Sequence, residues 1–165
     1  MQMLILDFEG CHSKGIREIG AVFTQGIKIT KIKELSVDNV GTCRKTLSQI
    51  LVSSPELFVS HNIQIEKNLL KKYLPYPPII KDKDSHEWGP WLDTIKLYKT
   101  LYPDLKKYEL SSLKDIFIKD EIEILSTKYC TKGKGKHHNA LYDAMCTYLL
   151  VKRLYSKIDL NRFIQ

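Results

Sequence analysis

The 165-residue sequence lacks the features that mark several classes of protein. Its four cysteines are scattered and no two of them form a CxxC pair, which argues against a zinc site and is typical of reduced thiols. No apolar run reaches the roughly 20 residues of a transmembrane helix, and no basic segment followed by an apolar one opens the chain. We therefore expect a cytoplasmic protein that meets its substrate and partners in aqueous solution, with no membrane involved.

Acidic residues are also few relative to basic ones. The sequence has 19 Asp and Glu against 26 Lys and Arg, which gives a formal net charge of +7. A basic balance suits an anionic partner such as a nucleic acid, although a basic protein can also be merely soluble. The composition, 43% hydrophobic and 27% charged, excludes a disordered or fibrous chain. Because the sequence shows neither an internal repeat nor a linker, its length predicts a single domain over residues 1–165.

Hydrophobic patterning predicts strands first and alternating helices and strands afterwards. The predicted strands are Met3–Phe8, Arg17–Thr24, Ile27–Val37 and Leu57–Ser60. The predicted helices are Thr42–Leu51, Ile63–Tyr73, Trp91–Leu101, Leu110–Ile118 and Asn139–Tyr155. We expect Pro75–Pro90 to form one long surface loop and Lys132–Lys136 to form a flexible basic loop. This order indicates an α/β protein with a mixed sheet and helices on its faces.

Two carboxylates stand at the end of the first predicted strand, in the stretch LILDFEG. Asp7 and Glu9 point to the same side, because side chains alternate along a strand. Like charges repel, and burying an unpaired charge is costly; a divalent cation such as Mg²⁺ or Mn²⁺ removes both penalties. A strand end that simply reaches solvent explains the same pair equally well.

Further acids and a histidine follow at the ends of later elements. Glu66 lies five residues after His61 where a strand turns into a helix, and Asp143 lies five residues after His138 near the start of the last helix. In order and spacing these motifs resemble those of the DEDDh (DnaQ-like) 3′–5′ exonucleases of the ribonuclease H-like superfamily. That family has DxE on the first strand, HNxxFD after the fourth and HxxxxD in the last helix. The sequence departs from it in having Glu66 for the usual Asp and Ile65 for the usual Phe.

The resemblance implies a ribonuclease H-like, three-layer α/β/α fold with a five-stranded mixed sheet. It implies hydrolysis of phosphodiester bonds at the 3′ ends of single-stranded DNA or RNA, with release of nucleoside monophosphates. Two Mg²⁺ or Mn²⁺ ions would be bridged by Asp7, with Glu9 and Asp143 completing one site and Glu66 serving the other. His138 would take the proton from the attacking water. The residues expected near the terminal nucleotide are Gly10, Cys11, His12 and Asn62.

Two alternatives of the same fold stay open at this point. The longer side chain of Glu66 is compatible with a catalytically weak module that only binds nucleic acid, and the protein could also be a proofreading module that works beside a polymerase. Lys132, Lys134 and Lys136 either draw in the polyanion or form a mobile basic stretch. Asp93, which matches an Asp-Thr pair of the family, is interpreted as structural support.

Overall fold

The computed structural model describes residues 1–52, 55–77 and 88–165. Within these residues five strands form one mixed sheet of order β3-β2-β1-β4-β5. The strands are β1 Gln2–Cys11, β2 Gly15–Gln25, β3 Lys28–Ser36, β4 Leu57–Ser60 and β5 Trp91–Asp93. The first three are joined by hairpins and pair antiparallel, whereas β4 and β5 continue the sheet in parallel on the other side of β1. The central strand is therefore β1, which bears the first carboxylate pair.

Helices cover both faces of the sheet. The helices of the described residues are α1 Val40–Leu51, α2 Ile63–Tyr73, α3 Thr94–Leu101, α4 Leu110–Phe117, α5 Lys119–Tyr129 and α6 Ala140–Leu154, with a short 3₁₀ turn at Leu160–Phe163. Side-chain caps begin two of them: the Asn39 side chain accepts a hydrogen bond from the first turn of α1, and Asp93 does the same for α3. Over the described ranges, no helix is both long and apolar enough to cross a membrane.

The alternation of side chains along β1 divides the core into two halves. Leu4, Leu6 and Phe8 pack with the apolar residues of α1 and α2, whereas Met3 and Ile5 pack with those of the helices from α3 to α6. Helix α6 is buried along almost its whole length, because it lies over the middle of the sheet. The predicted three-layer α/β/α fold with a five-stranded mixed sheet is thus confirmed.

The predicted strands and most of the predicted helices are confirmed, with two exceptions. Trp91–Asp93 is a strand at the sheet edge, so the helix predicted over Trp91–Leu101 is wrong for its first three residues. Helix α5 was not predicted at all. Of the loop predicted over Pro75–Pro90, residues 78–87 lie outside the described residues, and the remainder forms neither helix nor strand.

The two tryptophans pack in the core. Trp91 is fully buried and stacks on Phe58, with ring centroids 4.8 Å apart. Trp88 meets the same Phe58 ring edge-on and donates its indole N–H to the carbonyl oxygen of Leu74 at 2.7 Å. Both indoles therefore belong to the layer between the sheet and helices α1 and α2.

Candidate active site

The two carboxylates of β1 lie on the face of the sheet that α6 covers. Asp7 pairs with Gly20 of β2, and Glu9 pairs with Glu18, so the side chains of Asp7 and Glu9 stand one above the other along the central strand. The register of the β1–β2 pair shifts immediately after Glu9, at Gly10. The ladder is thus regular up to Glu9, which holds both carboxylates in a fixed position relative to β2.

Gly20 decides how closely α6 approaches the sheet. A Cβ atom at this position would lie 2.1 Å from the carbonyl oxygen of Ala140. The first turn of α6 therefore packs directly on the backbone of β2, which only glycine permits. This contact brings Asp143, on the first turn of α6, to the carboxylates of β1. One carboxylate oxygen each from Asp7, Glu9 and Asp143 lies within 4.8 Å of the other two.

Glu66 completes the acidic group from the opposite helix layer. It lies in the first turn of α2, is 4% exposed, and its Oε2 has no hydrogen-bond partner among the described residues. The pKa of Glu66 is raised to about 8, chiefly by burial; a backbone hydrogen bond of Glu66 itself opposes the shift, and the charges of Asp93 and Glu9 contribute to it. A buried carboxyl with an orphaned oxygen is a group that a cation would stabilise.

Burial and repulsion between carboxylates also raise the pKa values of the two acids on β1. Burial raises the pKa of Asp7 well above its usual value, and repulsion from three neighbouring carboxyls adds to the effect, namely Glu66, Asp143 and Glu9. Burial also raises the pKa of Glu9, with Asp143 contributing and His138 opposing. The fold thus places the four acids predicted from the sequence near one another, with Asp143 and Glu66 buried and Asp7 and Glu9 half-buried.

Two consecutive histidines, His137 and His138, form hydrogen bonds with Asp143 of this acidic group. His138 donates its backbone N–H to Asp143 Oδ2 at 3.1 Å, whereas the ring of His137 lies with Nδ1 2.8 Å from Asp143 Oδ1. The two imidazoles stack with centroids 4.1 Å apart, and His138 has a left-handed backbone with φ 65°. Burial raises the pKa of Asp143, and its hydrogen bond with His137 lowers it. His137 was not predicted; the signal that could have found it is the His-His doublet itself.

The turn after β1 folds back on itself. Cys11 Sγ lies 3.2 Å from the hydroxyl of Ser13 and accepts the backbone N–H of Lys14 at 3.4 Å. The hydrogen bond with Ser13 is the main cause that lowers the pKa of this exposed thiol. The carbonyl oxygen of His12 accepts a hydrogen bond from Lys72 at 2.6 Å. Cys11 and His12 thus lie at a hairpin tip whose contacts are with its own residues and with α2.

Gly10 and Asn62 occupy tight backbone positions. A Cβ atom at Gly10 would lie 2.2 Å from the carbonyl oxygen of Gly15, so the two strands of the hairpin approach closely there. Asn62 has a left-handed backbone with φ 71°, and its N–H donates to Asp93 Oδ1 at 3.2 Å. The same oxygen caps α3 through the N–H of Ile95. Asp93 therefore has the supporting role expected from the sequence, because it fixes the turn that leads to Glu66.

The basic loop before the histidines is tied to the sheet. Lys134 Nζ lies 2.9 Å from Glu18 Oε1 and 3.9 Å from Glu34 Oε1. Thr131 donates both its backbone N–H and its hydroxyl to Glu34 Oε2, at 3.0 and 2.7 Å. The other two lysines of the loop are exposed. Of the three lysines, Lys134 thus anchors the segment that carries His137 and His138.

A mixed sheet between two helical layers, with carboxylates on its central strand facing the last long helix, is the ribonuclease H-like fold. The chain is similar over 98% of its length to Exonuclease X in complex with 5′ overhanging duplex DNA, with a TM-score of 0.55, 19% identity and 96% of that chain covered. It is similar over 94% of its length to E. coli Exonuclease I in complex with a dT13 oligonucleotide, with a TM-score of 0.62, 12% identity and 41% of that chain covered. These likenesses show the fold.

The chain is also similar in sequence to a much longer protein. Over 136 residues, 79% of this chain, it is 26% identical to the DNA polymerase III PolC-type of Clostridium perfringens (strain 13 / Type A). The chain spans 8% of the length of that relative. No family model matches the sequence.

Proposed function

We propose that the protein is a metal-dependent 3′–5′ exonuclease of the DEDDh type that removes nucleotides from single-stranded nucleic acid. The observation that carries this proposal is the meeting of Asp7, Glu9 and Asp143 within 4.8 Å, beside the buried Glu66. Like charges gathered in a buried position are stable only when protons or cations neutralise them. The exonuclease structures with the same fold support the reading of this group as a nuclease centre.

The residues present fit Mg²⁺ or Mn²⁺. All of the ligand atoms are carboxylate oxygens, the donors that these hard cations prefer. Oε2 of Glu66, which has no hydrogen-bond partner in the described part of the chain, is an available ligand. Asp7, Glu9 and Asp143 would hold one ion, and Asp7 and Glu66 would hold the other. Two such ions, when bound, supply the positive charge that makes a water molecule more acidic and stabilises the leaving oxygen of a phosphodiester.

His138 is proposed as the general base. Imidazole is the side chain used most often for proton transfer near neutral pH. The ring of His138 is exposed, and its electrostatic interaction with Glu9, which lowers the pKa of that carboxyl, indicates that the ring lies close to the carboxylate group. The backbone N–H of His138 donates to Asp143 Oδ2. His138 is therefore held next to the first turn of α6, which also carries the Asp143 carboxylate. His138 would accept the proton of the attacking water and release it to solvent.

The proposed substrate is the 3′ end of single-stranded DNA or RNA. The net charge of +7 suits a polyanion, and the exposed lysines at 132 and 136 border the loop that leads to His138. DNA is the first substrate to test, because the two exonucleases with the same fold have DNA bound in their structures.

The test uses oligonucleotides labelled at the 5′ end, as single-stranded DNA and RNA in parallel, with Mg²⁺ or Mn²⁺. We expect a ladder that shortens from the 3′ end and disappears with EDTA. Asp7→Asn should be inactive, whereas Asp104→Asn, a change at an exposed carboxylate distant in sequence from the site, should keep full activity. Full activity of Asp7→Asn would refute the metal assignment. Binding without cleavage under either metal would favour the nucleic-acid-binding module instead.

A proofreading module is the second candidate function. The observation that favours it is the similarity of 79% of this chain to part of a DNA polymerase. The two candidates differ in what limits activity: a free-standing exonuclease degrades strands alone, whereas a proofreading module depends on a polymerase that delivers the strand end. Adding a replicative polymerase to a DNA with a mismatched 3′ end should accelerate removal of the mismatch at least several-fold for the second candidate, and leave the rate unchanged for the first.

A further inference from the structure

A second set of potential metal ligands lies beside the carboxylate group and differs from it in chemistry. Ligand atoms of His137, His138 and Asp143 lie within 4.8 Å of one another. Both imidazoles are exposed, whereas Asp143 is buried. The set therefore combines two nitrogens that solvent can reach with one fixed oxygen, and it opens toward water.

We propose that His137, His138 and Asp143 form a binding site for a divalent cation that prefers imidazole, of which Zn²⁺ is the simplest example. Imidazole nitrogen favours Zn²⁺, Ni²⁺ and Cu²⁺, whereas the all-oxygen group of Asp7, Glu9 and Asp143 favours Mg²⁺ and Mn²⁺. Three protein ligands with a remaining position for water is a common arrangement for zinc. The two sets share Asp143, so they cannot both be filled through the same oxygen atoms.

One pair of the proposed ligands is already in contact, and the ligand atom of His138 lies within 4.8 Å of both. His137 Nδ1 lies 2.8 Å from Asp143 Oδ1. Two ligands that are each roughly 2.0–2.2 Å from one tetrahedral ion stand about 3.3–3.6 Å apart, so a cation could replace the present hydrogen bond once the two atoms move apart by roughly 0.5–0.8 Å. Asp143 is also held by the N–H of His138 on its other oxygen, which fixes the carboxylate plane.

The local backbone explains why two consecutive histidines lie together. Neighbouring side chains in extended chain point to opposite sides, which would separate the rings. At His138 the left-handed backbone, with φ 65°, changes the direction of the chain, and the rings of His137 and His138 stack with centroids 4.1 Å apart. The loop is anchored upstream by Lys134 on Glu18, which limits the movement of both histidines.

Occupation of this site would have a consequence for catalysis, and this consequence rests on the proposed function. A cation held by His137 and His138 takes Asp143 away from the carboxylate group and occupies the imidazole nitrogen of His138 that would accept a proton. Both effects lower nuclease activity. The site would therefore act as an inhibitory switch for a divalent cation that prefers imidazole, in competition with Mg²⁺.

The binding test uses the full chain without a histidine tag, with Zn²⁺ titrated at pH 7.5 in the presence of excess Mg²⁺ and followed by calorimetry. We expect one Zn²⁺ per chain. His137→Gln should weaken binding at least about tenfold, because losing an outer-shell partner of a metal already costs about 10–100-fold and losing a direct ligand costs no less. Asp7→Asn should leave Zn²⁺ affinity unchanged, because Asp7 belongs only to the carboxylate group. A control with Cys11→Ser and His12→Gln together removes the exposed thiol and imidazole of the hairpin tip, and should also leave the affinity unchanged.

The outcomes separate this proposal from the proposed function. Wild-type affinity in His137→Gln, or loss of Zn²⁺ binding in Asp7→Asn, would overturn the histidine site whether or not the protein is a nuclease. A second readout is the visible absorption of bound Co²⁺, which should appear in the wild type and in Asp7→Asn and be absent in His137→Gln. In the nuclease assay, micromolar Zn²⁺ should inhibit the wild type but not His137→Gln. Equal inhibition of both would refute the switch.

Discussion

Replacing Gly20 with alanine tests how the fold brings Asp143 to the central strand. The added Cβ would lie 2.1 Å from the carbonyl oxygen of Ala140, about 1.3 Å short of ordinary van der Waals contact, which begins at 3.4 Å. The neighbouring atoms are backbone on both sides, so no side chain can rotate away. The start of α6 must move off the sheet, and Asp143 moves with it.

The displacement of α6 determines the size of two effects, a loss of stability and a loss of activity. Overpacking of this kind costs about 1–3 kcal/mol of unfolding free energy, because a buried helix must shift against a close-packed core. Displacement of Asp143 by about 1 Å separates it from Asp7 and Glu9, and misplacement on this scale lowers catalysis about 100-fold. Activity should therefore fall much further than stability, and Mn²⁺ affinity should fall together with activity.

The measurements are urea unfolding, Mn²⁺ titration and the labelled-strand assay, with Gly41→Ala as the matched control. Gly41 lies in α1, where a Cβ atom would meet, among the residues that the structure describes, only the Asn39 side chain at 3.5 Å. Alanine should stabilise that helix by about 0.5–1 kcal/mol and leave activity unchanged. If Gly20→Ala kept wild-type Mn²⁺ affinity and activity, the close approach of α6 would not be what positions Asp143.

Three further predictions concern Lys134, Glu66 and Tyr73. Lys134→Met removes the cation between Glu18 and Glu34, and so loosens the loop that carries His137 and His138. Activity should fall several-fold, while the free energy of unfolding should change by about 1 kcal/mol or less. An unchanged kcat would exclude a positioning role for Lys134. In EDTA the wild type should lose stability as the pH rises from 4.5 to about 8, because the raised pKa of Glu66 lets the folded state keep a proton that the unfolded state releases. Glu66→Gln should flatten that pH profile and stabilise the protein on the order of 2 kcal/mol at pH 8; urea unfolding at pH 5 and pH 8 decides this. Tyr73→Phe leaves the buried N–H of Ile16 without its acceptor and should cost about 1–2 kcal/mol by the same measurement, with Mn²⁺ affinity intact.

The fold could be predicted where the sequence carries a clear period over enough residues. The alternation in β3 and the apolar spacing of α1 and α2 gave elements that the structure has within a few residues. Helix α5 was missed because its sequence KDEIEILSTKY buries only Ile122 and Ser126, which is too narrow an apolar stripe to detect. The strand Trp91–Asp93 has three residues, too few to show a period of two, so the helix predicted from the pattern that follows was extended over it.

The candidate site also has features that the sequence predicts and features that it does not. Glu66 and Asp143 lie in the first turns of their helices, and Asp7 and Glu9 lie in the second half of β1. Their convergence was expected from the resemblance of the ordered motifs to those of a known family. The contact between His137 and Asp143 depends on the left-handed backbone at His138, which no spacing rule includes. The importance of Gly20 is equally hidden in sequence, because it comes from a helix that begins 120 residues later.

Charge balance explains why one face of the sheet carries two different acidic groups. Glu18 and Glu34 lie on β2 and β3 and have a lysine of the chain, Lys134, within ion-pair distance. The group of Asp7 and Glu66 is placed deeper, where burial and mutual repulsion raise the pKa values of both carboxyls. Without a cation this group is stable only by holding protons, and near neutral pH the tendency to release them favours binding of a divalent ion instead. The proposed metal requirement would therefore follow from the electrostatics of the fold as well as from the motif, and it predicts that metal binding releases protons.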